Sequence, residues 1–247
     1  MTPLSIVSPR IHNLGDFAHC LPALSAIHKN SGFKINFGIC NSLKKFKGIK
    51  DLLMCQEMFE SVFFMDEVQW MTQTFLIDDS GPDSENPTMS QAAHHHMNFF
   101  NSQYGANLSI DEDFELQVPY FGEMDYFEDK ILIGDRWSPE ECPDLDMRRQ
   151  YSVLKNSGKF DGEQFKYLDY SDNLVYNCSL IKYNPNPFYT TFTGIGILSD
   201  LMKKETHVMW DDDMRMWNGK PVECDFDLHY RKNSKNSLEY IKEFNWK

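Results

Sequence analysis

Apolar positions along the first third of the chain alternate between two rhythms. Leu4–Ser8 (LSIVS) is a short continuous apolar run, as a strand covered on both faces requires. Residues 17–29 switch to helical spacing, with Leu21, Leu24, Ala26, Ile27 and His28 set to line one side, and Ser31-Gly32 gives a stop signal. Residues 33–40 (FKINFGIC) alternate as a second strand. Residues 46–60 read as a second helix carrying Ile49, Leu52, Leu53 and Phe59 on one face, and residues 61–65 (SVFFM) read as a third strand. Strand, helix, strand, helix, strand predicts a right-handed βαβαβ unit.

The middle is less regular. Residues 78–88 (DDSGPDSENPT) form a polar loop, residues 89–104 a helix, and residues 107–118 an acidic stretch ending in a short extended piece. A linker is placed at about residues 119–129. A second α/β pattern then starts with a strand at residues 130–134 (KILIG). It continues with helices at 148–155 and 172–183, Asp172 serving as N-cap of the latter. A strand at 187–192 leads into a tight turn at Thr193-Gly194-Ile195-Gly196 and a helix at 197–203. A strand at 206–210 and a terminal amphipathic helix at 236–244 complete the pattern. The expected architecture is α/β, with two Rossmann-like domains at residues 1–122 and 123–247.

Composition narrows the function. The net charge of −13 and a pI near 5.0 disfavour general nucleic-acid binding, which draws on Lys and Arg to neutralise phosphates. Lys44, Lys45, Lys47 and Lys50 are read as a solvated face. The six cysteines form no C-x-x-C pair, so a zinc ribbon or thioredoxin motif is absent, and their scatter fits a reducing, cytoplasmic location; none sits in an obviously basic setting, so a cysteine nucleophile is not expected. No signal peptide and no membrane-spanning stretch is read.

Residues 11–24 (IHNLGDFAHCLPAL) carry the strongest chemical signal. A strand precedes a Gly-containing turn, and a helix begins at Asp16. Gly15 would relieve the turn. The helix dipole would hold the Asp16 carboxylate ionised. That corner is the C-terminal edge of a parallel sheet, where open α/β folds bind ligands, so the carboxylate could serve as general base on an acceptor hydroxyl. Plain helix capping is the competing reading. Neither G-x-G-x-x-G at this turn nor a Walker A sequence anywhere is present, which disfavours a NAD enzyme or a P-loop NTPase.

The stretch GDFAHCLPAL resembles the opening motif of the heptosyltransferase-like (ADP-heptose:LPS heptosyltransferase) family of GT-B glycosyltransferases. The resemblance implies two Rossmann-like domains with parallel sheets facing a cleft, a nucleotide-diphosphate sugar as donor, and an acceptor near Asp16 as catalytic base. Asn13 and Gly15 would be substrate- or donor-binding residues beside it. Residues 96–118 resemble the segment before that family's interdomain linker, and residues 130–134 its first nucleotide-domain strand. Residues 191–202 (TFTGIGILSDLM) resemble its late Thr-Gly loop and helix, which implies donor contacts at Thr193, Gly194 and Gly196. Arg136, beside Trp137, would be the surviving basic contact after the first strand. The chain departs from the family at Phe192, where Asp is usual, and at Ile197, where His is usual; it is also short for the fold.

Other constellations carry less. The run His94-His95-His96 cannot aim three rings at one metal from a helix, so it reads as a solvated helix start. Asp211-Asp212-Asp213 satisfies a D-x-D pattern, and a metal held by Asp211 and Asp213 is the basis of a rival metal-dependent reading. No cofactor is required by the leading reading, a glycosyltransferase. Its rivals are a catalytically degenerate nucleotide- or protein-binding module and an enzyme glycosylating DNA bases.

Overall fold

The structure is a computed structural model that describes residues 2–67, 74–77, 89–122, 127–134, 160–169, 172–190, 194–208, 216–217, 220–221 and 234–236. The chain divides into two compact units, Met1–Val118 with Asn173–Val175, and Pro119–Asp172 with Tyr176–Lys247.

The first unit holds a parallel sheet of β1 (Leu4–Ser8), β2 (Ile35–Ile39), β3 (Phe59–Phe64) and β4 (Phe75–Leu76), in the order β3-β2-β1-β4. Helix α1 (Leu14–Ser31) connects β1 to β2, and α2 (Ile49–Met54) lies between β2 and β3. Helix α3 (Met89–Tyr104) packs on α1. The predicted βαβαβ pattern is therefore present, with two differences. The helix read at 46–60 is a 3-10 turn at Asn41–Lys45 followed by only the six residues of α2, because β3 begins already at Phe59. The two-residue β4 was not legible as a strand.

Helix α1 is buried all round, not along one side: every residue from 17 to 27 is buried. The sheet takes one flank and α3 another, so the narrow stripe expected from the sequence underestimates its burial. Phe17, Phe37 and Phe59 stack in series beneath it, with centroids 6.1 and 5.4 Å apart. Gly32 ends the helix in the left-handed conformation (φ 70°), its N–H bonding His28 O. Pro22 lies within α1, and its carbonyl accepts the N–H of Asp111 at 3.0 Å. The extended piece before Val118 joins no sheet. Buried Gln56 holds it instead, accepting from Gln117 N at 2.9 Å and donating to Gln117 O at 2.8 Å, as a neighbouring strand would.

The second unit holds a five-stranded parallel sheet in the order β11-β8-β7-β5-β6. Its strands are β5 (Ile131–Gly134), β6 (Phe165–Tyr167), β7 (Phe188–Thr190), β8 (Thr206–Val208) and β11 (Ser234–Asn236). A separate antiparallel pair joins β9 (Met216–Trp217) to β10 (Lys220–Pro221). Helix α4 (Leu174–Tyr183) precedes β7 and α5 (Gly194–Leu201) follows it. Asn173, not Asp172, provides the cap of α4, its Oδ1 accepting from Val175 N at 2.9 Å. Asn236 belongs to β11, which shortens the predicted terminal helix; its remainder, and the helix read at 148–155, lie outside the described residues. Ile133, Phe160 and Tyr189 form the centre of this unit's packing. Gly134 is obligatory where it stands, because a Cβ would come 2.4 Å from Phe188 Cζ.

Candidate functional site

The loop between β1 and α1 leaves the C-terminal edge of the first sheet, and it carries Asn13 and His12, both exposed. Helix α1 starts at Leu14, two residues earlier than expected, so Gly15 and Asp16 are inside its first turn. Gly15 is helical and does not occupy the left-handed region, so it is not the turn residue the sequence suggested. Asn13 occupies the N-cap position without a side-chain cap bond; it donates from Nδ2 to Asp16 Oδ2 at 3.3 Å.

Asp16 meets solvent at its surface, yet the surrounding protein strips enough hydration to raise its carboxyl above the usual range. The Asn13 hydrogen bond and the charge of nearby His12 offset part of this rise. Desolvation is the largest of these effects. A carboxyl lifted in this way is a better proton acceptor than an ordinary surface aspartate.

Two neighbours were missed from sequence. The histidine run is not a solvated helix start throughout: His96 is 5% exposed, and it hydrogen-bonds the backbone of Asp16. Burial drives its pKa down to about 4, so it bonds as a neutral ring. The 100° advance per helical residue places one member of the run inward, a signal present in the sequence but not decisive without knowing the α1–α3 contact. Cys40, just beyond β2, lies with its Sγ 3.1 Å from His12 Nδ1, so the expectation that no cysteine has a basic neighbour is also corrected.

The other predicted site residues fall in the second unit. Gly194 and Gly196 are buried within the first turn of α5, which follows the C-terminal end of β7; they are helical and do not form the tight turn expected. The short α5 draws both glycines into its own first turn. Ile197 is buried at 3% exposure. Arg136, Thr193, Phe192 and the Asp211–Asp213 run lie outside the described residues. Among the described residues no cluster of three or more His, Cys, Asp or Glu side chains could hold a metal ion, and no helix is long and apolar enough to cross a membrane.

A recess of 370 Å³ opens elsewhere, against the C-terminal half of α1, lined by Ser25, Lys29, Gln56, Asp111 and Phe114 among others. Ser25 is nine residues from Asp16, roughly 13 Å along the helix, and none of the described residues predicted for chemistry lines the recess.

No family profile matches the chain, and no curated protein matches it in sequence. Solved structures do match. The E. coli ADP-heptose LPS heptosyltransferase II superposes with a TM-score of 0.57 at 11% identity, over 95% of this chain and 89% of that one. The family 9 glycosyltransferase of Veillonella parvula gives 0.55 at 11% identity, over 83% and 80%. The E. coli heptosyltransferase WaaC, solved with ADP, gives 0.53 at 12% identity, over 85% and 88%. The chain shares the GT-B fold of the heptosyltransferases.

Proposed function

We propose that this protein is a glycosyltransferase that moves a sugar from a nucleotide-diphosphate donor to an acceptor hydroxyl, with Asp16 as general base. The observation that carries the reading is Asp16 itself. It is a carboxyl of raised proton affinity, in the first turn of the helix that follows the first strand, at the ligand-binding edge of a parallel sheet. The similarity to glycosyltransferases, one of them solved with ADP, supports the donor class.

In the reaction the acceptor oxygen attacks the anomeric carbon as the bond to the diphosphate breaks. Asp16 takes the hydroxyl proton, and Asn13, bonded to Oδ2, fixes which carboxylate oxygen is turned away from it. Domain 123–247 holds the donor, through Arg136, Thr193, Gly194 and Gly196. The leaving diphosphate is stabilised by helix N–H groups at the start of α5. His96 keeps the first turn of α1 in place through the Asp16 backbone.

The test is a panel of UDP-, ADP- and GDP-sugars screened by thermal shift, followed by mass spectrometry of products with the native chain and Asp16→Asn. A donor raises the melting temperature of both proteins by mass action, and only the native chain transfers. Equal transfer by Asp16→Asn would remove Asp16 from the mechanism. A second reading has its own observation: Ile197 is buried where the resembled family has His, as in a domain that binds a nucleotide without using it. Stabilisation by nucleotides with no transfer to any acceptor would favour it.

A further inference from the structure

Three side chains outside the proposed mechanism meet at the same sheet edge. His12 Nδ1 lies 3.1 Å from Cys40 Sγ and 3.0 Å from Ser42 Oγ, and the Ser42 hydroxyl donates to Cys40 Sγ at 3.2 Å. Cys40 and Ser42 are two residues apart at the junction of β2 and the 3-10 turn Asn41–Lys45, and the fold brings His12 of the β1–α1 loop against that pair. Cys40 is 7% exposed and His12, directly against it, is exposed, so the sulfur sits just under the surface behind a ring that reaches solvent.

Nucleophile and base within hydrogen-bond reach, oriented by a third group, is the arrangement of an activated thiol. Cys20 and Cys178 are fully buried. Cys55 is more accessible than Cys40, but burial and the Asp51 carboxylate push its thiol up, and Sγ donates to Asp51 O at 3.2 Å. Accessibility and activation thus point to different cysteines.

We propose that Cys40 is a thiol-modification site for small disulfides, with His12 as its base and Ser42 as the residue that orients the sulfur. His12 Nδ1 takes the thiol proton as Sγ attacks one sulfur of the disulfide. The Sγ–S bond forms, the disulfide bond breaks, and the departing thiolate recovers the proton from His12. The products are one mixed disulfide on Cys40 and one free small thiol.

The full-length chain is incubated with oxidised glutathione at pH 7, and each cysteine is followed by peptide mass spectrometry. Cys40 is expected to form the mixed disulfide before Cys55, Cys20 or Cys178. His12→Asn should slow Cys40 about tenfold while leaving Cys55 unchanged, as loss of a base adjoining a thiol implies. Ser42→Ala should slow it less. The native chain gives a second measurement that needs no variant, the rate of iodoacetamide labelling at pH 7, in which Cys40 should label before the more accessible Cys55. Faster modification of Cys55 in the native chain, or an unchanged Cys40 rate in His12→Asn, overturns the proposal.

Discussion

Two aspartates contact the two ends of the same helix, and their settings are opposite. Asp111, against the C-terminal half of α1, is fully engaged. Ser25 Oγ donates to its Oδ2 at 2.5 Å, Lys29 Nζ lies 2.7 Å from the same oxygen, and its backbone N–H bonds Pro22 O. Asp16, at the other end, has one long side-chain bond from Asn13, and loss of hydration raises its carboxyl. The same residue type is a clamp where partners converge on it and a proton acceptor where they are withheld. A burial-satisfied carboxylate stabilises the fold; a half-satisfied one stores a tendency to take a proton.

The largest effect expected from breaking this contrast is on turnover. Asp16→Asn should lower transfer by about 10²- to 10⁴-fold, the usual contribution of a general base, measured as kcat with the donor found by thermal shift. The same variant should melt no lower than the native chain at pH 7. The sign follows from the raised carboxyl. Folding disfavours the charged Asp16, so its cost is absent below the ordinary aspartate range and grows as pH rises through the folded value. Asparagine removes that cost. Asp111→Ala should show the reverse profile, a loss of about 1–3 kcal/mol in urea unfolding from breaking a part-buried charged hydrogen bond, with kcat per folded molecule retained.

His96 supplies a pH test between the two. Its folded pKa, depressed to about 4 from 6.5, means that its stabilising contribution is complete above pH 6.5 and is lost as pH falls toward 4. Melting temperatures across that window should fall for the native chain and fall less steeply for His96→Gln. A slope identical in both would detach His96 from the acid sensitivity of the first unit. The smallest effect belongs to Lys29→Ala, less than about 1 kcal/mol, since the lysine side chain is 54% exposed and solvent screens its pairing with Asp111.

The resemblance drawn from GDFAHCLPAL and the fold agree, and the agreement has a physical basis. Short strands covered on both faces are written as apolar runs, so LSIVS and KILIG were readable, and a Gly after the last helical residue marked the end of α1. Strands β4 and β6 were not readable. They are two and three residues long and are defined by the neighbour they bond, not by their own pattern. The turn drawn at Thr193–Gly196 failed because its glycines are drawn into α5.

What the sequence alone determined is the order of strands and helices and the position of a carboxylate at the first strand-to-helix junction, since both follow from local periodicity and turn chemistry. Only the tertiary structure decided the carboxylate's proton affinity, the inward turn of His96 and the meeting of His12, Cys40 and Ser42. Each of these depends on groups distant in sequence, 80 residues between Asp16 and His96 and 28 between His12 and Cys40, brought together when the sheet and helices pack. Desolvation and hydrogen bonding act through space, and no one-dimensional pattern records them.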